Sequence, residues 1–161
     1  MSTAHAKPAH RHAFELELIG EPQGEGDRLF IWGRMTFGHF HDDFQAPLYD
    51  WAPGDYVAQW IEAATRLVDG APVAVFLTHM VHPSAAYHLG WPAWREGDQV
   101  YLQERLFLTE QLTGPFDPQQ PEAHAGPRRE LTPDGERIAQ WRVTIADVAD
   151  FLRRRSADRS A

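Results

Sequence analysis

Phe14, Leu16 and Leu18 alternate with Glu15 and Glu17, a period of two that lines one face of a strand and would scatter around a helix. A strand is predicted over 13–19. The glycine- and proline-rich stretch 20–27 then turns the chain into 28–37, where Phe30, Ile31 and Trp32 mark a second strand and so a hairpin. Residues 38–51 mix polar and aromatic side chains without a clean period and are expected to be loop or irregular turn. Pro53 and Asp55 suit the first turn of a helix. Tyr56, Trp60, Ala64 and Leu67 follow at steps of three and four, widened by Val57, Ile61 and Val68, so an amphipathic helix is predicted to end near Asp69-Gly70.

Residues 72–78, PVAVFLT, form a short apolar run expected to be a central strand buried on both faces. In 87–94, Pro92 lacks the donor that a central ladder needs, which predicts an edge or a turn. After the turn Glu96-Gly97-Asp98, the alternation through 100–108 predicts a long strand, with Glu104 on its apolar face marking a bulge or an edge. The proline-rich 109–126 segment is expected to be an ordered surface loop anchored by Phe116. Thr132-Pro133-Asp134-Gly135 is a type I turn sequence joining 129–131 to a strand over 136–143. Thr144 and Asp147 have the spacing of a helix N-terminal cap, and Ile145, Val148, Phe151 and Leu152 supply one apolar stripe. The order β-β-α-β-β-β-β-α predicts an α+β single domain: a mostly antiparallel sheet, one central amphipathic helix and a short C-terminal helix. The expected division is a flexible N-terminal tail over 1–12, the domain over 13–152, and a basic C-terminal tail over 153–161.

A length of 161 residues with 43% apolar side chains fits one domain with a substantial core. The absence of cysteine excludes disulfides, thiolate metal sites and a cysteine nucleophile. The opening MSTAHAKPAHRH has no apolar signal-peptide core, and no apolar run approaches a membrane span, so a cytoplasmic protein without membrane association is expected. Charge is unevenly placed: residues 13–152 hold 9 Arg against 22 Asp and Glu, while both ends are basic. Such a body repels phosphate backbones and attracts cationic proteins, so direct nucleic-acid binding is disfavoured, although acidity also serves solubility alone.

His39, His41, Asp42 and Asp43 are a candidate metal set, since residues two apart on an extended segment face the same side. The set is incomplete, and ordinary loop residues, the acidic pair being a solvated turn, are the preferred reading. His79, His82 and His88 fit no metal spacing, and His5, His10 and His12 lie in the N-terminal tail. No serine sits in Gly-x-Ser-x-Gly. Gly24-Glu25-Gly26 precedes a strand rather than the helix that a phosphate loop requires. The sequence carries no catalytic signature and calls for no cofactor.

Tyr56-Val57-Ala58-Gln59-Trp60, preceded by Leu48-Tyr49-Asp50-Trp51, resembles a tyrosine–glutamine–tryptophan segment of immunity proteins from bacterial contact-dependent growth inhibition systems. The similarity runs in order through Val100-Tyr101-Leu102-Gln103, Pro115-Phe116-Asp117-Pro118, Arg128/Arg129, Asp134-Gly135, Ile138, Trp141, Asp147-Val148 and Phe151. The chain departs from it at Ile138-Ala139-Gln140-Trp141, where the pattern has Ile-Ser-Glu-Trp, and in its arginine-rich ends. The resemblance implies a cytoplasmic, non-catalytic protein that binds the basic C-terminal domain of a cognate toxin, often a nuclease, and occludes its active or substrate-binding site. Tyr56, Gln59, Trp60 and Trp141 are expected to be structural, with Gln59 satisfying a buried backbone group. The expected partner contacts are the acidic loop residues Asp42, Asp43, Glu110, Asp117 and Glu122. The alternatives are a small metal-dependent enzyme using His39 and His41 with nearby carboxylates, or a non-catalytic scaffold module.

Overall fold

A computed structural model describes residues 12–159. It contains two antiparallel sheets and two helices. The first sheet is a meander of β1 (Phe14–Gln23), β2 (Phe30–Phe37) and β3 (Phe40–Pro47), in that order. α1 (Pro53–Val68) leads to the second sheet, formed by β4 (Val73–His79), β5 (Tyr87–Glu96), β6 (Gln99–Leu102), β7 (Arg105–Leu108) and β8 (Trp141–Thr144). Its order is β4-β5-β6-β8, with β7 also paired to β5. α2 (Ile145–Arg159) closes the chain.

The first sheet differs from expectation at β3, which occupies the segment read as loop. Gly38 and His39 form a two-residue hairpin loop between the partners Phe37 and Phe40. Gly38 has φ +66°, a conformation that a tight hairpin requires and glycine adopts without steric cost. Phe40, Phe44 and Ala46 keep the period of two, and only Asp42 interrupts it. Gly33 is needed opposite Phe44, because a Cβ there would lie 2.3 Å from the phenyl ring.

The second sheet corrects two placements. β4 is an edge strand, whereas β5, with Pro92 in its middle, is interior. The Pro92 carbonyl accepts from the Gln103 amide at 3.2 Å. In an antiparallel strand a residue's nitrogen and carbonyl face the same neighbour, so the donor Pro92 lacks would point where β6 ends and β7 begins. The ladder is already broken there at Gln103-Glu104, the position where Glu104 disturbed the alternation. The strand expected over 136–143 shrinks to β8, preceded by an isolated bridge from Leu131 to Arg137. The turn between them closes with Gly135 N–H donating to the Thr132 carbonyl at 2.9 Å.

The two sheets pack through aromatic side chains. Phe14 lies 5.3 Å from Phe76 and 5.2 Å from Phe151, and Phe37 lies 5.1 Å from Trp91, spacings at which tilted and edge-on rings attract. α2 begins in a reciprocal cap: Thr144 N–H donates to Asp147 Oδ2, and Asp147 N–H to Thr144 Oγ1. The helix is not short. It runs on through most of the segment read as a basic tail, because Arg154 and Arg155 reach back to β1. Both pair with Glu15, and they donate to the carbonyls of Phe14 and Leu16 respectively. The aliphatic stems of these arginines lie along the domain while their charges find buried partners. The expected tail at residues 1–11, with His5 and His10, lies outside the described residues.

Candidate functional site

An edge strand buried against the body must have its outward backbone groups satisfied, and α1 does this for β4 with three side chains. Gln59 Nε2 donates to the Val75 carbonyl at 2.6 Å, and Gln59 Oε1 accepts from Leu77 N–H at 2.9 Å. One side-chain amide thus makes the two bonds that a neighbouring strand's backbone would make. Trp60 Nε1 donates to the Leu77 carbonyl at 2.7 Å. The Tyr56 hydroxyl accepts from Met80 N–H at 3.1 Å and donates to the Pro47 carbonyl at 2.7 Å, tying the end of β3 to the end of β4. Burial pushes the Tyr56 phenol well above its ordinary pKa, so it stays a hydroxyl. Tyr56 and Trp60 are fully buried and offer no surface to a partner.

Other residues of the resemblance also hold the frame together. Trp141 stacks on Phe40 at 4.1 Å and lies edge-on to Trp91 at 5.5 Å. The Arg128 guanidinium sits 4.1 Å over the Tyr101 ring and is paired with Glu96, a desolvated cation over an aromatic face. Gln103 Nε2 donates to the Arg129 carbonyl and to Gln140 Oε1. Phe116 is buried and stacks on His88 at 4.0 Å, which pins the 109–126 segment to the second sheet.

The five acidic candidates occupy different settings. Asp43 lies on β3, not in a loop, and receives two bonds from Arg34 at 2.7 and 3.2 Å; these hold its carboxyl below the usual range. Glu122 is partly buried against Arg66 at 2.7 Å. Arg66 also holds Glu62 and the Gln119 carbonyl, so Glu122 fastens the 109–126 segment to α1. Asp117 closes a turn by accepting from Gln119 N–H. Glu110 is exposed on a 3-10 turn over Thr109–Gln111. Asp42, also on β3, accepts from Asp43 N–H and is not paired with an arginine among the described residues. It lies near Glu104: burial first, and then the charge of Asp42, push the Glu104 carboxyl above its ordinary range.

His39 stands in the hairpin loop and His41 on β3, both exposed beside Thr36 in a shallow depression. Among the described residues no three His, Asp or Glu side chains converge as a metal ion would require, and Asp43 is turned toward Arg34. His82 Nδ1 is bonded to Ser84. His79 stacks on Tyr87 at 5.1 Å. His88 is fully buried with neither ring nitrogen hydrogen-bonded, and desolvation lowers its pKa, as it does that of His79. No helix among the described residues is long and apolar enough to cross a membrane.

This fold has a counterpart among known proteins. Residues 46–151 match the family described as the CdiI N-terminal domain. The chain belongs to this family. The matched stretch begins late in β3 and ends at Phe151, so it includes the Tyr56, Gln59 and Trp60 clasp, the whole second sheet and the first half of α2. A chain in the structure titled "CdiA-CT/CdiI toxin and immunity complex from Enterobacter cloacae" has the same fold, with a TM-score of 0.81 at 21% identity over 89% of this chain and 99% of that one. No curated protein sequence gives a match. A CdiI-type chain therefore carries the expected α+β architecture, built from two sheets rather than one.

Proposed function

We infer that this chain is the immunity partner of a contact-dependent growth inhibition toxin, and that it neutralises the toxin's C-terminal domain by binding it and covering its active or substrate-binding site. The observation that carries the reading is family membership across 46–151. Two features support it. The sequence between the basic ends is strongly acidic, which favours association with a basic protein such as a nuclease domain and speeds encounter at moderate ionic strength. Among the described residues, the histidines and carboxylates that a metal-dependent enzyme would need are dispersed or engaged elsewhere. Neutralisation is steric and electrostatic, with carboxylates occupying positions that substrate phosphates would take. Such a protein acts in the cytoplasm, where an imported toxin would meet its target.

The test is co-expression with the C-terminal domain of the large toxin encoded beside its gene. A stable complex that survives purification and restores growth to toxin-expressing cells is the expected outcome. A chain that neither co-purifies with that domain nor protects the cells is not an immunity protein, and stable capture of a non-toxin protein instead would favour the scaffold reading.

A further inference from the structure

β5 is covered unequally along its length. Side chains alternate between the faces of a strand, so Tyr87, Leu89, Trp91 and Ala93 share one face. Trp91 lies under the first sheet, against Phe37 and Phe40, and is 2% exposed. Four residues earlier on the same face, Tyr87 is 41% exposed. β7 extends this open end: Leu106 pairs with Leu89 and Leu108 with Tyr87, so both leucines point the same way. Leu106 is 49% exposed. His79 stacks on Tyr87 from the β4 side. The first sheet therefore covers the Trp91 end of this face and leaves a largely apolar strip in which Tyr87 and Leu106 are exposed and His79, Leu89 and Leu108 half-buried.

The strip is rigidly backed. Behind it, His88 and Phe107 pack on Phe116, and the strip's end is fastened by Thr109, whose N–H donates to the Ala86 carbonyl at 2.9 Å and whose hydroxyl donates to the Ala85 carbonyl. A face so held loses little freedom when a partner lands on it. Its border is acidic. Glu104 is exposed two residues before Leu106, and Asp42 of β3 stands two residues past Phe40, whose ring lies 6.0 Å from Trp91, with a charge that helps to push the Glu104 carboxyl upward. No arginine holds either carboxylate among the described residues. Adjacent like charges beside an apolar strip are relieved by a cation supplied from outside.

We propose that the uncovered β5–β7 face, with Leu106 and Tyr87 at its centre and Asp42 and Glu104 at its border, is the surface that receives the toxin, taking an apolar side chain flanked by a lysine or arginine. This rests on the immunity reading above, and it names a surface that only partly overlaps the acidic candidates chosen from sequence. The charge of the border selects a basic partner, and the apolar strip supplies the desolvated centre at which binding energy concentrates.

The test compares binding of the purified toxin domain to the wild-type chain and to Leu106→Arg, Glu104→Lys and Leu131→Arg, with urea unfolding of each variant as the folding control. Leu131 is an equally exposed leucine, at 51%, in the segment before β8. Leu106→Arg is expected to weaken binding at least ~30-fold, the scale of a central interface residue. Glu104→Lys should weaken it about 10-fold and flatten its salt dependence, while Leu131→Arg stays within about 2-fold. If the wild-type chain binds and Leu106→Arg and Glu104→Lys, both folded, bind equally well, this surface is wrong and the immunity reading stands. If the wild-type chain does not bind the toxin domain, both fall. A wild-type homodimer that Leu106→Arg converts to monomer would assign the face to a second copy of the chain and overturn the proposal.

Discussion

Replacing Gln59 isolates the clasp on β4. Val75 and Leu77 are 1% and 0% exposed, so the Val75 carbonyl and Leu77 N–H that Gln59 serves cannot turn to bulk water when its amide is removed. Leaving a buried polar group unsatisfied costs ~1–3 kcal/mol, and two such groups make the expected loss for Gln59→Met about 2–6 kcal/mol. Methionine keeps the length and most of the packing of glutamine, so the loss reports the hydrogen bonds rather than a cavity. For a domain of this size each kcal/mol moves the midpoint by ~2–4 °C, which places the drop at roughly 4–24 °C. Gln59→Glu should fall between wild type and methionine, because a carboxylate still accepts from Leu77 N–H but opposes the Val75 carbonyl. Urea and thermal unfolding followed by circular dichroism give both numbers. A Gln59→Met variant within ~0.5 kcal/mol of wild type would mean that the edge finds other partners and that the clasp does not hold β4.

Three further outcomes follow from the same geometry. His88 stays neutral in the folded chain because burial lowers its pKa, whereas the unfolded chain takes up a proton near pH ~6.5; its contribution to stability is therefore complete above that pH and declines as pH falls below it. His88→Phe should flatten the decline of the urea midpoint between about pH 7 and about pH 5, and an unchanged slope would remove His88 as a cause. Arg154 and Arg155 share Glu15, whose side chain is only 13% exposed, so replacing both by alanine should cost about 3 kcal/mol and either alone less than half, measured by the same unfolding assay. Gly33→Ala drives a Cβ into the Phe44 ring and should lower stability by ~1–3 kcal/mol, with Phe44→Leu in the same chain restoring most of it.

The sequence was most legible where a segment's own pattern decides its structure. Phe14, Leu16 and Leu18 alternate because one face of β1 is buried, and Tyr56, Trp60, Ala64 and Leu67 repeat because one side of α1 is. β3 was missed because Asp42 interrupts an otherwise alternating run and because it and Asp43 are residue types that strands disfavour; they are tolerated since β3 is an edge strand and Arg34 holds Asp43. The order of β4 and β5 was inverted for a different reason. A buried apolar run looks the same whether a strand or a helix side chain covers its edge, and a proline is admitted to an interior strand where its missing donor meets a gap in the neighbour. Arg154 and Arg155 looked like part of a basic tail because composition does not show that Glu15, some 140 residues away, is waiting for a cation. The apolar face of β5 and β7 was legible as strand and illegible as surface, since whether a leucine is covered depends on where another sheet stops.

Tyr56 and Trp60, which help to make the chain resemble immunity proteins, are engaged in its own interior, and this separates two kinds of defect. Tyr56 bonds Pro47 and Met80 at 0% exposure, and Trp60 bonds Leu77, also at 0% exposure; neither can reach a partner without unfolding the clasp. A variant such as Tyr56→Phe leaves Met80 N–H and the Pro47 carbonyl short of a partner, so it should lose ~1–3 kcal/mol while retaining wild-type affinity at temperatures where it remains folded. Its protection of toxin-exposed cells would then fall only in proportion to the folded protein present. Variants on the β5–β7 face should do the reverse, losing affinity at undiminished stability. Plotting affinity against unfolding free energy for both sets tests this division: if Tyr56→Phe, fully folded, binds the toxin domain as weakly as Leu106→Arg, then α1 is part of the contact surface and the separation of frame from interface is wrong.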